Sequence, residues 1–408
     1  KNFYLTMTLL KSLQKTYSIC LNRNILSIVI QDYIKKNEFN SSKLVFSKSP
    51  FEVVTIKELI QQIDAKKKSK NKLPSWYHSA KIYYPPKLNV EQCSSEITAK
   101  YKASIIEGDK IADITGGFGI DSYYFSKTFK TVHHFELNKC LSEITAHNFL
   151  VLKRNNIQCF AEDGLKNILK EQYDVIYADP SRRHEDKGKV FFLKDCEPDI
   201  PFHLPLLLKN CKKLLIKTSP MLDISVGLNE LKFVSELHIV AVKNDVKELL
   251  WVIKPNFKGI PYIKTININK DHKDVFKFNL NDTSKVDYDI PKKYLYEPNA
   301  AIMKSGAFDL ISVRYQIKKL HKHSHLYTSD ELISFPGRKF VINKVTPYQK
   351  KHFKEFSTIE RANISIRNFP ESVAYLRKRL CIRDGGDLFL FFTTTKGNKK
   401  IIVSCTKV

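Results

Sequence analysis

The sequence predicts an α/β protein whose central part is a Rossmann-like sheet of five parallel strands that closes with an antiparallel hairpin. Short apolar runs begin near residue 111 and lie about 20 to 40 residues apart, as strands joined by crossover helices do. Before residue 62 apolar residues recur at helical spacing, and after residue 291 strands and helices mix without this order. The expected parts are an N-terminal helical region (1–75), the sheet domain (76–254), a small unit (255–295) and a C-terminal α+β domain (296–408).

In the N-terminal region, residues 11–21 and 52–63 have the apolar spacing of amphipathic helices. The lysine-rich run Lys66–Lys72 is interpreted as a linker or a surface stretch. Prolines at 74, 85 and 86 then punctuate the chain, and Glu91–Ile105 is predicted to be another helix.

Five apolar runs predict the parallel strands of the sheet. They are Ile111–Ile114, Thr131–Glu136, Ile157–Ala161, Tyr173–Ala178 and Lys213–Lys217. Two further runs, Glu236–Val242 and Lys247–Ile253, are separated by so few residues that only an antiparallel hairpin can join them. Five parallel strands that end in such a pair form the strand plan of class I methyltransferases.

The region after residue 254 begins with a polar, mildly strand-like segment that extends to about residue 290. A helix is predicted for Asn299–His321, a strand for Asn363–Arg367 and a second helix for Ser372–Leu380. Two strands are expected to end the chain, at 387–395 and 400–406.

The net charge of +26 is concentrated in the two flanks of the chain. Residues 1–100 carry 17 Lys and Arg against 7 Asp and Glu, and residues 291–408 carry 23 against 9. The part between them is nearly neutral, with 28 against 26. This asymmetry favours a catalytic middle with flanks that bind a polyanion, although a general lysine bias on a solvated surface remains the alternative.

Several classes of protein are disfavoured by what the sequence lacks. No apolar run of about 18 residues predicts a membrane span, and the N-terminus lacks the small-residue cleavage site of a signal peptide, so we expect a cytoplasmic protein. The eight cysteines include no C-x-x-C pair. We therefore expect reduced thiols, without a zinc site or a disulfide framework.

A glycine-rich turn follows the first predicted strand, in the segment D-I-T-G-G-F-G-I-D at 113–121. Glycines let the backbone turn tightly and approach a ligand, and the N–H groups at the start of the next helix can bind a carboxylate. In a class I methyltransferase that carboxylate is the methionine part of S-adenosylmethionine. The candidate cofactor-binding residues of this segment are Asp113, Thr115, Gly116, Gly117, Gly119 and Asp121.

Two further acids stand where the cofactor's nucleoside would lie. Glu136 ends the second strand, 17 residues after Gly119, and its carboxylate can accept both ribose hydroxyls. Asp163 follows the third strand and could accept a hydrogen bond from the adenine amine. A helix N-cap is an equally good interpretation of Asp163, because Asp-Gly precedes a helical pattern.

The fourth strand ends in Asp179-Pro180-Ser181, which we predict to be the catalytic segment. An Asp-Pro-Pro-Tyr-like tetrapeptide at this place orients the exocyclic amine of a base in related enzymes, where positioning does most of the work. Ser181 replaces the second proline, and Arg182 and Arg183 follow, either to hold the substrate or to pair with nearby acids on the surface. Lys217–Pro220 closes the fifth strand at the same edge, as part of the substrate mouth or as a plain strand exit.

On these motifs the chain resembles bacterial class I methyltransferases of the Bacteroidetes type with a C-terminal THUMP-like domain. The matching segments are Tyr84–Ala103, Ala112–Asp121, Tyr177–Arg183, Lys217–Ile224, Tyr294–Gly306, and four short ones at 326–329, 335–338, 367–370 and 385–394. The resemblance implies S-adenosylmethionine as cofactor and a small ferredoxin-like unit, expected at 255–295. It also implies that the domain at 296–408 is THUMP-like and binds structured RNA, ribosomal or transfer.

The charge of the C-terminal region agrees with RNA as the partner. The candidate RNA-binding residues are Lys318, Lys319, Lys322, Arg338, Arg367, Arg377, Lys378, Arg379 and Arg383. The histidines at 321, 323 and 325 are not predicted to bind a metal, because alternate spacing without a carboxylate or cysteine partner is poor ligand geometry. Phe335 and Tyr327 could stack on bases, but core packing is the better interpretation.

Four functions remain open at this point. The first is an S-adenosylmethionine-dependent methyltransferase that modifies a base amine of RNA. The second is an RNA-binding or assembly factor on the same fold with weak or lost catalysis, because the second proline is missing. DNA or protein methylation is a third, since charge does not separate one polyanion from another. A nicotinamide-dependent oxidoreductase ranks last, because G-G-F-G departs from G-x-G-x-x-G.

Overall fold

The computed structural model describes residues 20–182 and 192–408. The chain folds into two compact units. The first comprises the residues up to Thr218 with 225–233 and 251–257, and the second comprises 219–224, 234–250 and 258–408. The helices before residue 76 therefore belong to the same unit as the parallel strands, and the predicted helix at 11–21 falls almost entirely outside the described residues.

The first unit contains the parallel strands and most of the helices. Its helices are α1 (Ile28–Lys36), α2 (Ser41–Leu44), α3 (Ile56–Lys72), α4 (Pro74–His78), α5 (Lys87–Gln92), α6 (Glu96–Ala103), α7 (Ile120–Phe125), α8 (Lys139–Val151), α9 (Gly164–Asn167), α10 (Ile200–Lys209) and α11 (Ile224–Glu230), the last of which begins at the junction of the two units. Its strands are β1 (Lys110–Asp113), β2 (Thr131–Phe135), β3 (Ile157–Phe160), β4 (Tyr173–Ala178), β5 (Ser181–Arg182), β6 (Cys196–Glu197) and β7 (Cys211–Thr218).

The second unit contains β8 (Val234–Val242), most of β9 (Asp245–Ile253), and the rest of the chain. Its other strands are β10 (Tyr262–Ile268), β11 (Lys273–Asn279), β12 (Tyr294–Pro298), β13 (Lys318–Lys319), β14 (Tyr327–Ser329), β15 (Gly337–Pro347), β16 (Asn363–Arg367), β17 (Leu388–Thr395) and β18 (Lys399–Lys407). Its helices are α12 (Ala300–Ser305), α13 (Phe308–Arg314) and α14 (Val373–Leu380).

The predicted central sheet is confirmed. Strands β7, β4, β1, β2 and β3 lie side by side in this order and pair in parallel. The strand order continues beyond β7 with β9, β8, β10 and β11. Strands β8 and β9 are joined by Lys243 and Asn244, both at positive φ as a tight hairpin requires.

The polar segment after residue 254 extends this strand order. Strand β10 pairs in parallel with β8, and β11 pairs antiparallel with β10. Thr265 and Asn267 are buried between these neighbours although they are polar. Because these buried positions hold polar side chains, the hydropathy of the segment only weakly indicated strands.

A seven-stranded sheet, in the order β13-β14-β12-β15-β18-β17-β16, forms the C-terminal part of the second unit. The predicted strand at 363–367 is found as β16, and the last two predicted strands are found as β17 and β18. Phe340, Phe391 and Val403 belong to one apolar cluster of this sheet. A second cluster includes Leu376 of α14 together with Phe392.

Two local predictions were wrong, and a third was right in part. The lysine-rich run at 66–72 is a surface stretch, with Lys67, Lys68 and Lys70 exposed, but it is no linker. It forms the second half of α3, whose Ala65 and Ser69 are buried, because lysine is a good helix former when one face of the helix is apolar. The helix expected at 299–321 breaks after Ser305, because Gly306 adopts φ +73° and ends α12. The helix expected at 91–105 is divided into α5 and α6, because Ser95 starts the second one as its N-cap.

The expectation of eight reduced cysteines also needs correction. A disulfide joins Cys20 to Cys140 at the start of α8, and the other six cysteines are free. A pair separated by 120 residues has no spacing signature in a sequence. Among the described helices, none combines the length and the apolar character needed to cross a membrane.

Candidate active site

A cavity of about 740 Å³ lies in the first unit, where β1, β2 and β4 end. The residues that directly follow these strands line it, among them Ile114, Glu136 and Asp179. Carboxyl ends of parallel strands are where open α/β sheets bind ligands. The predicted residues that line this cavity are Asp113, Thr115, Gly116, Gly117, Gly119, Asp121, Glu136, Asp163, Asp179 and Ser181.

The glycine loop turns from β1 into α7. The Gly116 N–H donates to the carbonyl of Phe135 at 2.8 Å, which ties the loop to the end of β2. Gly119 is at φ +75°, and a Cβ there would lie 2.5 Å from the Phe149 ring and from the Thr145 methyl group. Only glycine fits this turn and this close approach to α8.

Glu136 lies beside this loop with both carboxylate oxygens held by backbone. One oxygen accepts from the Gly117 N–H at 2.9 Å, and the other accepts from the Asn138 N–H at 2.7 Å. A carboxylate at the end of β2 that is fixed in this way presents its remaining lone pairs to the cavity. Recognition of two neighbouring hydroxyls by Glu136 stays a prediction.

Asp113 lies beneath the loop and is only 1% exposed. It accepts from the Ser122 hydroxyl at 2.6 Å and from the Thr115 N–H at 3.2 Å. Burial raises the pKa of Asp113 to about 7, and burial lowers the pKa of the neighbouring His134 to about 3. His134 is therefore neutral at physiological pH, and its Nδ1 lies 3.1 Å from the Ser122 hydroxyl.

Asp121 lines the cavity but is engaged with side chains of the unit. It lies 3.2 Å from the Lys102 ammonium, and its other oxygen accepts from Ser94 at 2.7 Å and from the Tyr177 hydroxyl at 3.0 Å. Lys102 is completely buried. This ion pair and these hydrogen bonds join α6, α7 and β4 around the cavity. The oxygen that faces Lys102 accepts no hydrogen bond from the described residues, and cofactor binding by Asp121 stays a prediction.

Asp163 has the N-cap role that the sequence indicated, and it also lies at the cavity. It is the N-cap of α9, where its side chain accepts from the Leu165 N–H at 2.9 Å, and it also lines the cavity. The N-cap contact is therefore present, and adenine recognition stays a prediction for this residue.

The predicted catalytic segment is held in place at Asp179, through both the backbone and the side chain of this residue. The Asp179 N–H donates to the Thr115 hydroxyl at 2.7 Å, and one carboxylate oxygen lies 2.6 Å from the Lys217 ammonium. Pro180 is buried, whereas Ser181 is exposed and pairs through its backbone with Glu197 in β6. The backbone of Arg182 pairs with Cys196, and Arg183 falls outside the described residues.

Several residues around the cavity had no motif of their own. Asn89, Gln92, Cys93 and Ser94 line it from α5 and the loop that follows, and His203 lines it from α10. The first four lie in the segment 84–103, for which the sequence indicated a helix and a family resemblance but no site residue. Lys217 was interpreted as part of a substrate mouth, but its contact with Asp179 could not be inferred without the register of β4 against β7.

Most basic residues proposed to contact RNA pair inside the second unit instead of standing free. Arg338 and Arg367 both pair with Glu297, whose side chain is 5% exposed. The ammonium of Lys319, a residue only 2% exposed, lies 2.7 Å from Asp309, so Lys319 is not a surface cation. The remaining pairs are Lys318 with Asp287, Arg377 with Asp384, Arg379 with Glu371 and Arg383 with Glu360.

Lys322 and Lys378 are exposed. Tyr327 and Phe335 are buried, as the core interpretation predicted. His321 contacts Asn368 and Asn398 through its two ring nitrogens, and His325 stacks on Phe308 with the ring centroids 3.6 Å apart.

The parallel sheet, the glycine loop after β1 and the hairpin at β8 and β9 define a class I methyltransferase fold. A crystal structure of a provisionally assigned methyltransferase from Porphyromonas gingivalis W83 is similar to this chain, with 33% identity, a TM-score of 0.86 and coverage of 95% of this chain and 98% of that one. The chain therefore belongs to that bacterial family of class I methyltransferases with ferredoxin-like and THUMP-like units.

Two family models match the C-terminal part. A ferredoxin-like domain matches residues 294–336, and a THUMP domain-like model matches residues 337–407. The ferredoxin-like match thus begins at residue 294 instead of the expected 255, and the segment expected to form it provides β10 and β11. A search of the curated proteins finds no match to the chain.

Other solved structures resemble only part of the chain. An rRNA methylase from Streptococcus thermophilus has 14% identity and a TM-score of 0.29, and covers 39% of this chain and 94% of that one. A protein of Streptococcus mutans, in complex with SAH, has 15% identity and a TM-score of 0.29, and covers 39% and 96%. Likenesses at this level say nothing about the substrate of this chain.

Proposed function

We propose that this chain is an S-adenosylmethionine-dependent methyltransferase that modifies a base amine of a structured RNA. The observation that carries the proposal is the Glu136 carboxylate, fixed by the Gly117 N–H beside a glycine loop and facing a cavity of about 740 Å³. A cavity of this volume is within the range of small-molecule sites.

The residues of the cavity fit this cofactor. The free lone pairs of Glu136 suit two ribose hydroxyls, and the glycine loop before α7 offers backbone to a carboxylate. Asp163 also lines the cavity, and its carboxylate can accept a hydrogen bond from the exocyclic amine of adenine. When bound, the cofactor supplies a methyl group on a positively charged sulfur, and the chain has only to bring a nucleophile to it.

Asp179 is the residue that would bring the nucleophile. Its backbone is held by Thr115, and Lys217 takes one of its carboxylate oxygens. The other oxygen can accept a hydrogen of an exocyclic amine and so orient the nitrogen lone pair. Correct placement of two reactants contributes most of the acceleration that such a transfer needs.

RNA as the substrate rests on two observations. The region from 291 to 408 carries 23 Lys and Arg against 9 Asp and Glu, and the family model that matches its last part is described as THUMP domain-like. Excess positive charge supports binding to a polyanion, and the THUMP-like description favours RNA over DNA or protein.

One observation favours a second candidate, an RNA-binding or assembly factor without catalysis. The Lys217 ammonium lies 2.6 Å from Asp179, and Ser181 stands where a second proline is expected. If Asp179 stays paired with Lys217, its role is structural and not catalytic. Two experiments separate the candidates.

The first experiment measures S-adenosylmethionine binding by calorimetry. We expect Glu136→Gln to weaken the affinity by about tenfold or more, because it removes a charged acceptor. Glu143→Gln is the matched control, since Glu143 is exposed on α8. No binding to the unaltered protein would favour the non-catalytic factor.

The second experiment follows transfer of a radioactive methyl group to total RNA from cells that lack the gene. We expect Asp179→Ala to lower the rate by about 100-fold, the scale of a misplaced reactant, while cofactor affinity is retained. Asp245→Ala is the control, because Asp245 also pairs with a lysine but lies on β9. An Asp179→Ala variant that labels RNA at the unaltered rate would refute the assigned chemistry, and label found only in DNA or protein would refute the substrate class.

A further inference from the structure

A second cavity, of about 540 Å³, lies within the second unit. Its walls come from the ends of β10 and β11, the loop after β11, the Gly306 turn between α12 and α13, and the loop before β14. The cavity contains none of the residues of the candidate active site. What it can bind follows from two features of its lining.

The first feature is an apolar floor with an aromatic wall. Ile263 and Phe278 are buried side chains that face the cavity. Phe308 and His325 also line it, and their rings stack with 3.6 Å between centroids and 21° between planes. A stacked pair at the side of an apolar cavity is a surface against which another planar ring packs.

The second feature is an exposed lysine with a neighbouring histidine beside the aromatic wall. Lys322 is exposed at the cavity, and none of the described residues forms an ion pair with it. His323 lies next to it and also lines the cavity. The two acids of the lining are engaged, since Asp309 pairs with Lys319 and Asp282 accepts from the Asn279 N–H at 2.8 Å.

We propose that this cavity binds one nucleotide, with its base against the Phe308–His325 pair and its phosphate at Lys322 and His323. The ligand is a free mononucleotide or a single unpaired nucleotide of an RNA, which share this chemistry. The inference does not depend on methyl transfer, because no residue of the first cavity takes part.

Calorimetry with the full chain tests the proposal, with the four nucleoside monophosphates, the matching nucleosides, inorganic phosphate and a short single-stranded oligoribonucleotide as probes. S-adenosylhomocysteine is present in excess, so that adenosine-like groups do not report on the first cavity. We expect Lys322→Ala with His323→Ala to weaken nucleotide binding by about tenfold or more through the lost phosphate contacts. We expect Phe308→Ala to weaken it by about tenfold to a hundredfold through lost stacking.

Lys270→Ala with His272→Ala is the matched control, an exposed lysine and histidine in the turn between β10 and β11. The variant at 322 and 323 changes only exposed side chains, so it remains informative if Phe308→Ala fails to fold. Mononucleotide binding that is lost in this variant supports a free ligand, and oligonucleotide binding alone with the same loss supports RNA as its source. Binding that the variant leaves unchanged, binding of phosphate without nucleotide preference, or no binding of any probe refutes the proposal, whatever the first cavity binds.

Discussion

At the scale of single residues, Asp113 is a carboxylic acid enclosed by Ser122, Thr115 and the start of the glycine loop. Burial raises the pKa of Asp113 to about 7, far above the 3.8 of an exposed aspartate. Between these two values the folded protein keeps a proton that the unfolded chain has lost. The free energy of unfolding therefore falls as the pH rises from about 4 to 7, and this contribution is constant above pH 7.

Asp113→Asn should remove this dependence, because an amide does not titrate and can still hydrogen-bond Ser122. We expect the difference in unfolding free energy between the unaltered protein and the variant to change by about 1.4 kcal/mol per pH unit in that range. Urea denaturation at a series of pH values measures it. A difference that stays level from pH 4 to 7 would mean that Asp113 ionises normally in the fold.

A candidate site residue could be predicted from the sequence where the residue that it contacts lies close by along the chain. Glu136 was found because it follows a recognisable strand at a fixed distance from the glycine loop, and its contact to Gly117 lies within one β-α-β unit. Asp121 was assigned to the cofactor, but its partners Ser94, Lys102 and Tyr177 come from three other elements. A local sequence pattern does not predict partners of this kind.

At the scale of elements, Glu297 joins three strands of the seven-stranded sheet. It lies on β12 and pairs with Arg338 of β15 and Arg367 of β16, and its side chain is 5% exposed. Both arginines were predicted to contact RNA, because a basic residue in a basic region looks like a surface cation until its partner is known. The pairing assigns them to the stability of the sheet.

Glu297→Gln should therefore destabilise the second unit by roughly 3 kcal/mol, the lower end for a broken buried pair. The lower end applies because the two arginine side chains are 34% exposed and partly solvated after the loss. Chemical denaturation gives the value. Glu360→Gln, which breaks the exposed pair with Arg383, is the control and should cost no more than about 1 kcal/mol. Equal effects of the two substitutions would contradict the structural role of Glu297.

The elements themselves were predicted where a short apolar run indicated a buried strand, as in β1, β2, β4 and β7. Strand β15 was missed, although it spans eleven residues, because its burial pattern alternates only weakly. The lysine run in α3 was interpreted as a linker or a surface stretch, and its helical structure was missed because its composition outweighed its helical spacing. In both cases tertiary contacts determine the secondary structure, and a local sequence pattern does not contain such contacts.

At the scale of the whole molecule, RNA affinity should depend strongly on salt, because phosphate contacts release counterions. Lys378→Ala removes an exposed cation and should lower the slope of log affinity against log salt by about one unit. Lys318→Ala should leave the slope nearly unchanged, since its ammonium lies 2.5 Å from the Asp287 carboxylate. Filter binding at several salt concentrations tests both. A slope near zero for the unaltered chain would argue against RNA contacts by its basic residues.

The domain bounds stay a prediction, and both C-terminal family matches begin later than expected, the THUMP-like one at residue 337 instead of 296. The ferredoxin-like match covers 294–336, whereas the preceding segment adds β10 and β11 beside β8. The sequence did not predict that β10 lies between two strands, because it contains polar residues such as Thr265 and Asn267. These residues are buried only because a strand pairs on each side of β10.

The parallel pairing of β10 with β8 has a consequence for shortening this protein. A chain that stops at residue 254 would leave the seven residues of β8 that pair with β10 as an open edge, with free N–H and C=O groups beside buried apolar side chains such as Leu237 and Ile239. Exposed edges of this kind invite pairing with other chains and aggregation. A stable catalytic fragment should therefore extend through Asn279, so that β10 and β11 continue to cover that edge.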